Sequence, residues 1–200
     1  MTLGERVVVM NDGRVMQVDA PRTLYDFPAN RFVAAFIGDP AMNMIDVDLI
    51  DGAAVNEAVE VPLPPTVVGP NEGDGTDERA VAIDRATPIE AASPLVFGVH
   101  PEDLYLESER PDLGSGSIDA TAEVTEPLGD SLLVHCSAGE MEFKLKAPPR
   151  TALQPGESVT VRPDPERLHL FDAETGVGVY HAAASDKSET AEPPASHGRH

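Results

Sequence analysis

The sequence has no tryptophan, one cysteine and no long apolar run. Its 200 residues include six phenylalanines and three tyrosines, so a core has to be built mainly from aliphatic side chains. The lone Cys136 cannot form a disulfide within the chain, which is typical of a reducing compartment. No apolar run approaches the roughly 20 residues of a membrane-spanning helix, and the first residues lack the pattern of a signal peptide. These absences predict a soluble intracellular protein.

Lysine is scarce as well. Lys144, Lys146 and Lys187 are the lysines among 14 basic residues, which stand against 35 acidic ones and leave a formal net charge of −21. Without a basic stripe the chain cannot neutralise phosphates, which disfavours nucleic acid as a partner. Acids spread along the whole chain, including its predicted strands, favour a halophilic protein whose self-repulsion is screened by molar salt. An acidic tail together with a disordered loop is the alternative explanation.

The first 38 residues predict a hairpin followed by two short helices. Two apolar runs flank Asp12-Gly13, a pair that closes two-residue hairpins because glycine tolerates positive φ. Pro21 can open a helix over Arg22–Phe27, and Asn30 can cap a second helix over Arg31–Ile37. A segment of this size forms too small a core to be stable alone.

From Asn43 onward the apolar period changes from helical to alternating. Turn signals such as Gly129-Asp130 separate several short runs of this kind, which predicts a small β-barrel or sandwich. Gly69–Arg79, Glu109–Ser117 and the tail 177–200 have the composition of loops or disorder. The alternating runs contain Ile45, Val47 and Leu49; Ile118, Ala120, Ala122 and Val124; Leu132, Val134 and Cys136; Met141, Phe143 and Leu145; Val159 and Val161; and Leu168 and Leu170.

Few residues suggest chemistry. The stretches His100–Asp103 and His169–Asp172 each place a histidine near a carboxylate, but neither has the spacing of a strong zinc signal. His169 lies in an alternating run and is predicted to be on a solvated face, whereas Cys136 is predicted to be a buried, inert thiol. No phosphate-binding loop, dinucleotide fingerprint or nucleophile elbow occurs. The residues therefore predict no catalytic, cofactor or metal site.

Four segments, in this order, resemble the C-terminal half of ATP-binding subunits from ABC importers of the maltose and glycerol-3-phosphate type. They are MTLGERVVVMNDGRVMQVDAPRTLYDFPANRFVAAFIGDPAMNMIDVDL, FGVHPEDLYL, EPLGDSLLVHC and PGESVTVRPDPERLHLFDAETG. The resemblance implies that residues 1–38 end a nucleotide-binding domain, that 39–176 form a TOBE (transport-associated OB) regulatory domain, and that 177–200 are a disordered acidic tail. The fold class expected is mainly β, an OB-like barrel preceded by a hairpin and two short helices.

The resemblance also implies partners and a place in the cell. The family pairs as a homodimer through the TOBE domain, contacts membrane permease subunits through the nucleotide-binding domain, and in some members binds a regulatory protein. The location implied is cytoplasmic, peripheral at the inner face of the membrane. ATP and Mg²⁺ bind in the full-length family, but this sequence lacks the Walker A, signature and Walker B motifs and the switch histidine. No cofactor and no hydrolysis are therefore expected of this chain by itself.

Seven residues are the candidates for shaping the fold and the dimer or regulatory contacts. His100 stands where the resembled family usually has arginine, so an ion pair at that position is not expected. The alternative function is a standalone OB-type module that binds a small anion or an oligonucleotide, which the net charge of −21 and the lack of an aromatic platform disfavour. The seven candidates are Pro101, Glu102, Leu104, Gly129, Asp130, Phe171 and Asp172.

Overall fold

The computed structural model describes residues 6–63, 94–114 and 116–182. Their N-terminal part is the predicted hairpin, formed by β1 (Val7–Asn11) and β2 (Arg14–Asp19). The connecting Asp12 and Gly13 have φ of 47° and 76°, the left-handed conformation that a tight two-residue turn of this type requires. The hairpin prediction is confirmed.

Two short helices follow the hairpin as predicted. Helix α1 spans Pro21–Asp26 and helix α2 spans Arg31–Phe36. The Asn30 side chain accepts a hydrogen bond of 3.1 Å from the Val33 amide, which satisfies one of the free N–H groups at the start of α2. Together with the hairpin the helices enclose a small cluster around Val9, Leu24 and Val33. Neither described helix has the length and apolar composition that crossing a membrane requires.

The remaining strands form two antiparallel sheets. One has the order β13-β12-β6-β3-β4-β5 and the other the order β10-β9-β8-β11-β7. A short 3-10 turn, Pro101–Asp103, connects β6 to β7 and so takes the chain from one sheet to the other. The bounds are β3 Asn43–Ile50, β4 Ala53–Val55, β5 Glu60–Pro62, β6 Pro94–Val99, β7 Leu104–Leu106, β8 Ile118–Pro127, β9 Leu132–Ala138, β10 Met141–Ala147, β11 Ser158–Pro163, β12 Leu168–Asp172 and β13 Gly178–His181.

The two sheets share one aliphatic core. In β3 the residues Ile45, Val47 and Leu49 are buried while Asp46 and Asp48 are exposed, as a strand with one solvated face requires. The same core includes Phe97 and Leu145 from the two sheets. The expectation of a mainly β, OB-like fold preceded by a hairpin and two helices is confirmed.

The structure corrects the predicted start of the disordered tail. Residues 178–181 form β13, which pairs with β12 through His169–His181 and Leu170–Tyr180. The composition that predicts disorder, a lack of large apolar side chains, holds only after Tyr180. Pairing with a buried neighbour stabilises such a short strand in spite of its composition. The loop prediction at Gly69–Arg79 and the end of the tail, 183–200, lie outside the described residues.

Candidate functional site

Three of the seven candidate residues are part of the core. Pro101 is buried in the 3-10 turn, Leu104 is 1% exposed at the start of β7, and Phe171 is fully buried on β12. Phe171 packs with Ala34 of α2 and with Met42 and Val96. Leu104 belongs to the core that the two sheets share, whereas Phe171 belongs to the cluster beside α2.

The other four candidates lie nearer the surface. Glu102 accepts a 2.6 Å hydrogen bond from the Tyr25 hydroxyl, which ties α1 to the 3-10 turn. Asp172 accepts hydrogen bonds from the Thr175 amide and hydroxyl at 2.6 and 2.7 Å, and these bonds lower the pKa of its carboxyl. Gly129, with φ of 96°, and the exposed Asp130 form the tip of the β8–β9 hairpin. A role for any of the seven candidates in dimer or regulatory contacts stays a prediction.

Exposed apolar side chains lie on the β8–β9 hairpin and also on β1 and β2. Val124 and Leu128 on the β8–β9 hairpin are each 48% exposed. On the N-terminal hairpin Val8, Met10 and Val15 are 51–57% exposed, and Met10 pairs directly with Val15. Clustered apolar residues at a surface are typical of contacts with other proteins or domains.

Three histidines from distant parts of the sequence meet between α1 and the sheet that contains β6, β12 and β13. The rings of His100 and His169 are 6.1 Å apart and nearly perpendicular, and those of His169 and His181 are 5.0 Å apart. The Nδ1 atoms of His169 and His181 lie 2.8 Å from each other. His100 also stacks on the Tyr25 ring, with 3.8 Å between centroids and 8° between planes. We call these three residues the histidine cluster.

The prediction that His169 lies on a solvated face is wrong, because the residue is 3% exposed. One face of its strand β12 packs on the shared core. The other face is covered by α2 and by the rings of His100 and His181. Gly98 of β6 pairs with His169, and a Cβ atom there would come within 2.8 Å of both Met42 Sδ and Phe171 Cε2. Glycine at this position lets the neighbouring large side chains close over the strand.

Burial dominates the electrostatics of the cluster. It lowers the pKa of His169 well below the ordinary range, and the other two histidines lower it further. It lowers the pKa of His181 to about 4 and also lowers that of His100. Beside the cluster, burial raises the pKa of Asp103 to about 7, with Arg167 opposing the shift. The imidazoles are therefore held in their neutral form.

No described residues form a metal centre of three or more histidine, cysteine or acidic ligands. Cys136 is buried as predicted, and burial raises the pKa of its thiol to about 12, so the thiolate that would be reactive is disfavoured. The sequence signal for the histidine cluster was weak. It consisted of His169 standing between Leu168 and the pair Leu170-Phe171. Only the pairing of β12 with β6 and β13 brings His169 close to His100 and His181.

Comparison with known proteins gives a consistent result. Residues 97–171 match the family of TOBE domains. The uncharacterized ABC transporter ATP-binding protein YcjV of Escherichia coli O6:H1 is 32% identical over 179 residues, which are 90% of this chain and 45% of YcjV. The multiple sugar-binding transport ATP-binding protein MsmK of Streptococcus mutans is 32% identical over 194 residues, 90% of this chain and 47% of MsmK. The chain thus spans about half the length of the curated relatives it matches.

Among solved structures, the molybdate-bound crystal structure of the cytoplasmic molybdate-binding protein ModG aligns at a TM-score of 0.45 and 12% identity. The alignment covers 64% of this chain and 94% of that one.

Proposed function

We propose that this chain, which carries a TOBE domain and is related to the C-terminal part of ABC transporter ATP-binding proteins, is the regulatory and dimerising part of the ATP-binding subunit of an importer. The observation that carries the proposal is 32% identity to such proteins over 90% of the chain. The name of MsmK refers to multiple sugars, which supports sugars or related solutes as the cargo. A standalone module for anions or oligonucleotides is not favoured by these relatives.

The role proposed is mechanical. ATP binding and hydrolysis would take place in a nucleotide-binding domain, which contacts membrane permease subunits. Two copies of the β-domain, by which we mean the two sheets built from β3 to β13, would hold the subunits together at the inner face of the membrane. The exposed apolar face of β1 and β2, with Val8, Met10 and Val15, would pack against the nucleotide-binding domain, because a two-stranded sheet needs further layers to be stable. The exposed hairpin tip around Leu128 and Asp130 would lie in the dimer contact or bind a regulatory protein.

The test is the oligomeric state of the purified chain, measured by sedimentation equilibrium in molar KCl. We expect a dimer, and we expect Leu128→Glu to raise its dissociation constant at least about tenfold, because an unpaired charge in an apolar contact costs more than 1.4 kcal/mol. Ile50→Glu is the matched control, since Ile50 is 49% exposed and Leu128 is 48% exposed. A chain that remains monomeric, or two variants that weaken the dimer equally, would contradict the proposed contact.

We also propose that the protein works at high salt. The net charge is −21, and acids such as Asp46 and Asp48 lie on the exposed face of β3, where they repel one another at low ionic strength. The melting temperature should rise by at least about 5 °C between low salt and molar KCl, equivalent to roughly 1–2 kcal/mol for a chain of this size. Calorimetry in sucrose of equal osmolality separates charge screening from solute exclusion. A flat or falling dependence on KCl would contradict the halophilic interpretation.

A further inference from the structure

The histidine cluster lies where the N-terminal segment, residues 6–37, meets the β-domain. Two backbone hydrogen bonds join the parts there, from the Arg31 amide to the Gly176 carbonyl at 2.9 Å and from the Gly178 amide to the Ala29 carbonyl at 3.0 Å. We propose that His100, His169 and His181 make this contact sensitive to acid, so that proton uptake by the cluster releases the N-terminal segment from the β-domain. The inference goes beyond the proposed transport function and would hold for this chain without it.

Each outer histidine of the cluster touches a side chain of the N-terminal segment. The ring of Tyr25, on α1, stacks on His100 at 3.8 Å. Phe27, at the end of α1, meets the His181 ring edge-on with centroids 6.3 Å apart. His169 lies between the two and is 3% exposed. Separating the segment from the β-domain would therefore bring water to all three imidazoles.

The hydrogen bonding inside the cluster limits how many protons it can hold. The 2.8 Å contact between Nδ1 of His169 and Nδ1 of His181 needs one N–H and one lone pair. Both atoms are donors when both rings are charged, so the second proton breaks the contact. For His100, both ring nitrogens are buried without a hydrogen-bond partner in the described part of the chain. A charge on that ring would be stabilised only by the Tyr25 backbone and by the carboxylates of Glu102 and Asp26, and burial outweighs them.

The charged and titratable groups around the cluster only partly offset the effect of burial on the pKa values of the histidines. Helix α1 contributes Asp26 and Tyr25, and the 3-10 turn contributes Glu102. These two carboxylates and the Tyr25 backbone raise the pKa of His100 against the larger effect of burial. For His169 the titratable neighbours that act on its pKa are His181 and His100, and both lower it.

On β13, too, the groups that favour a charged imidazole are weaker than burial. The Pro28 backbone raises the pKa of His181, but burial outweighs it and leaves the value at about 4. Asp103 of the 3-10 turn lies nearby, and its own pKa is raised to about 7. It stays in the β-domain, where it forms an ion pair with Arg167 at 3.6 Å. The neighbourhood as a whole favours neutral imidazoles in the joined form.

The sign of the pH dependence follows from these shifts. Histidines exposed by release regain a pKa near 6.5, so below that pH the released form binds more protons than the joined form. Each histidine then multiplies the equilibrium constant for release by about ten per pH unit until its pKa in the joined form is reached. If Asp103 also became exposed, its raised pKa would oppose the change by a similar factor. As the pH falls from 7.5 to 5.5, we expect the equilibrium constant for release to increase by at least about tenfold in total.

The test is amide hydrogen exchange of the full chain at pH 7.5 and 5.5, with rates corrected for intrinsic exchange. Residues 21–37 should lose at least about tenfold more protection than β8–β10, which serve as the internal reference. In His181→Gln this differential loss should shrink by about tenfold, because one titrating ring has been removed. His135→Gln is the matched control, since His135 lies on β9 away from the cluster and contacts Glu126. It should behave as the wild type does.

Direct titration of the histidine ring signals by NMR in the wild-type chain keeps the proposal testable if the variant does not fold. Ring pKa values below about 5.5 for His169 and His181 would support the proposal. Values near 6.5 or higher for both would overturn it. So would protection that falls equally in residues 21–37 and in β8–β10, or a His135→Gln variant that flattens the response as much as His181→Gln.

Discussion

Replacing Phe171 with alanine should lower the free energy of unfolding by about 3–5 kcal/mol. The ring has no exposed surface and packs with Ala34 of α2, Met42 and Val96. It also lies 5.8 Å from the His181 ring in an edge-on arrangement. Because Ala34, Val96 and His181 belong to different elements that are each fixed by helix packing or sheet pairing, they cannot close the cavity, and the cost of the empty space adds to the lost burial.

Phe36→Ala is the matched control. Phe36 is 65% exposed at the end of α2 and stacks on Phe32 at 6.0 Å, so its truncation should cost less than about 1 kcal/mol. Urea unfolding curves of the two variants measure both values, with unchanged m-values as the check that unfolding remains two-state. A loss below about 1 kcal/mol for Phe171→Ala would contradict its place in the core and revive a contact role for this residue.

Signals from neighbouring residues in the sequence were sufficient to predict the elements of the N-terminal segment and most of the strands. The Asp12-Gly13 turn needs positive φ, and the Asn30 cap needs only its own side chain and the next amides, so both can be read from a few neighbouring residues. The alternation in β3, and in β8 as far as Ala122, likewise identifies the buried face, because one side of each strand faces water. Val124 does not follow it: the register of β8 shifts after Ala122, and Val124 is 48% exposed. These elements are predictable since their determinants lie close together in the sequence.

His169 on β12 is buried although the alternating pattern predicts that it is exposed. Strict alternation assumes that one strand face is solvated, but β12 carries Leu170 and Phe171 in succession, and both are fully buried. Consecutive large apolar residues point to opposite faces of a strand, so both faces of β12 must be covered. This signal was present in the sequence. The residues that cover the second face could not be identified, because α2 and Met42 reach β12 only through tertiary contacts.

The short strands β4, β5 and β7 were missed for a related reason. Each has three residues, too few for any periodicity to be recognised. A longer neighbour provides the pairing for two of them, β3 for β4 and β11 for β7, and β5 pairs in turn with β4. Likewise, the exposure of Glu102 and the burial of Pro101 one residue before it depend on the 3-10 turn, which the sequence did not reveal.

A second contact that the sequence did not reveal joins the two sheets through Asn43, the first residue of β3. Its side-chain amide donates to the Lys144 carbonyl at 2.9 Å, and its Oδ1 accepts from the Lys144 amide at 2.8 Å. Lys144 lies at the centre of β10, which pairs with β9 on one side and forms an edge of its sheet on the other. The Asn43 side chain thus replaces the strand that would otherwise satisfy this backbone.

Asn43→Ala should therefore lower the free energy of unfolding by about 2–4 kcal/mol, since it removes two hydrogen bonds and leaves a backbone donor and acceptor unsatisfied beside an 8%-exposed position. Asn56→Ala is the control, because the Asn56 side chain makes three hydrogen bonds, all within residues 46–59 of one sheet. Its loss should cost only about 1 kcal/mol. Exchange of the Lys144 amide should accelerate in Asn43→Ala and stay unchanged in Asn56→Ala. Equal losses of stability in the two variants would mean that the contact between the sheets depends on the apolar core alone.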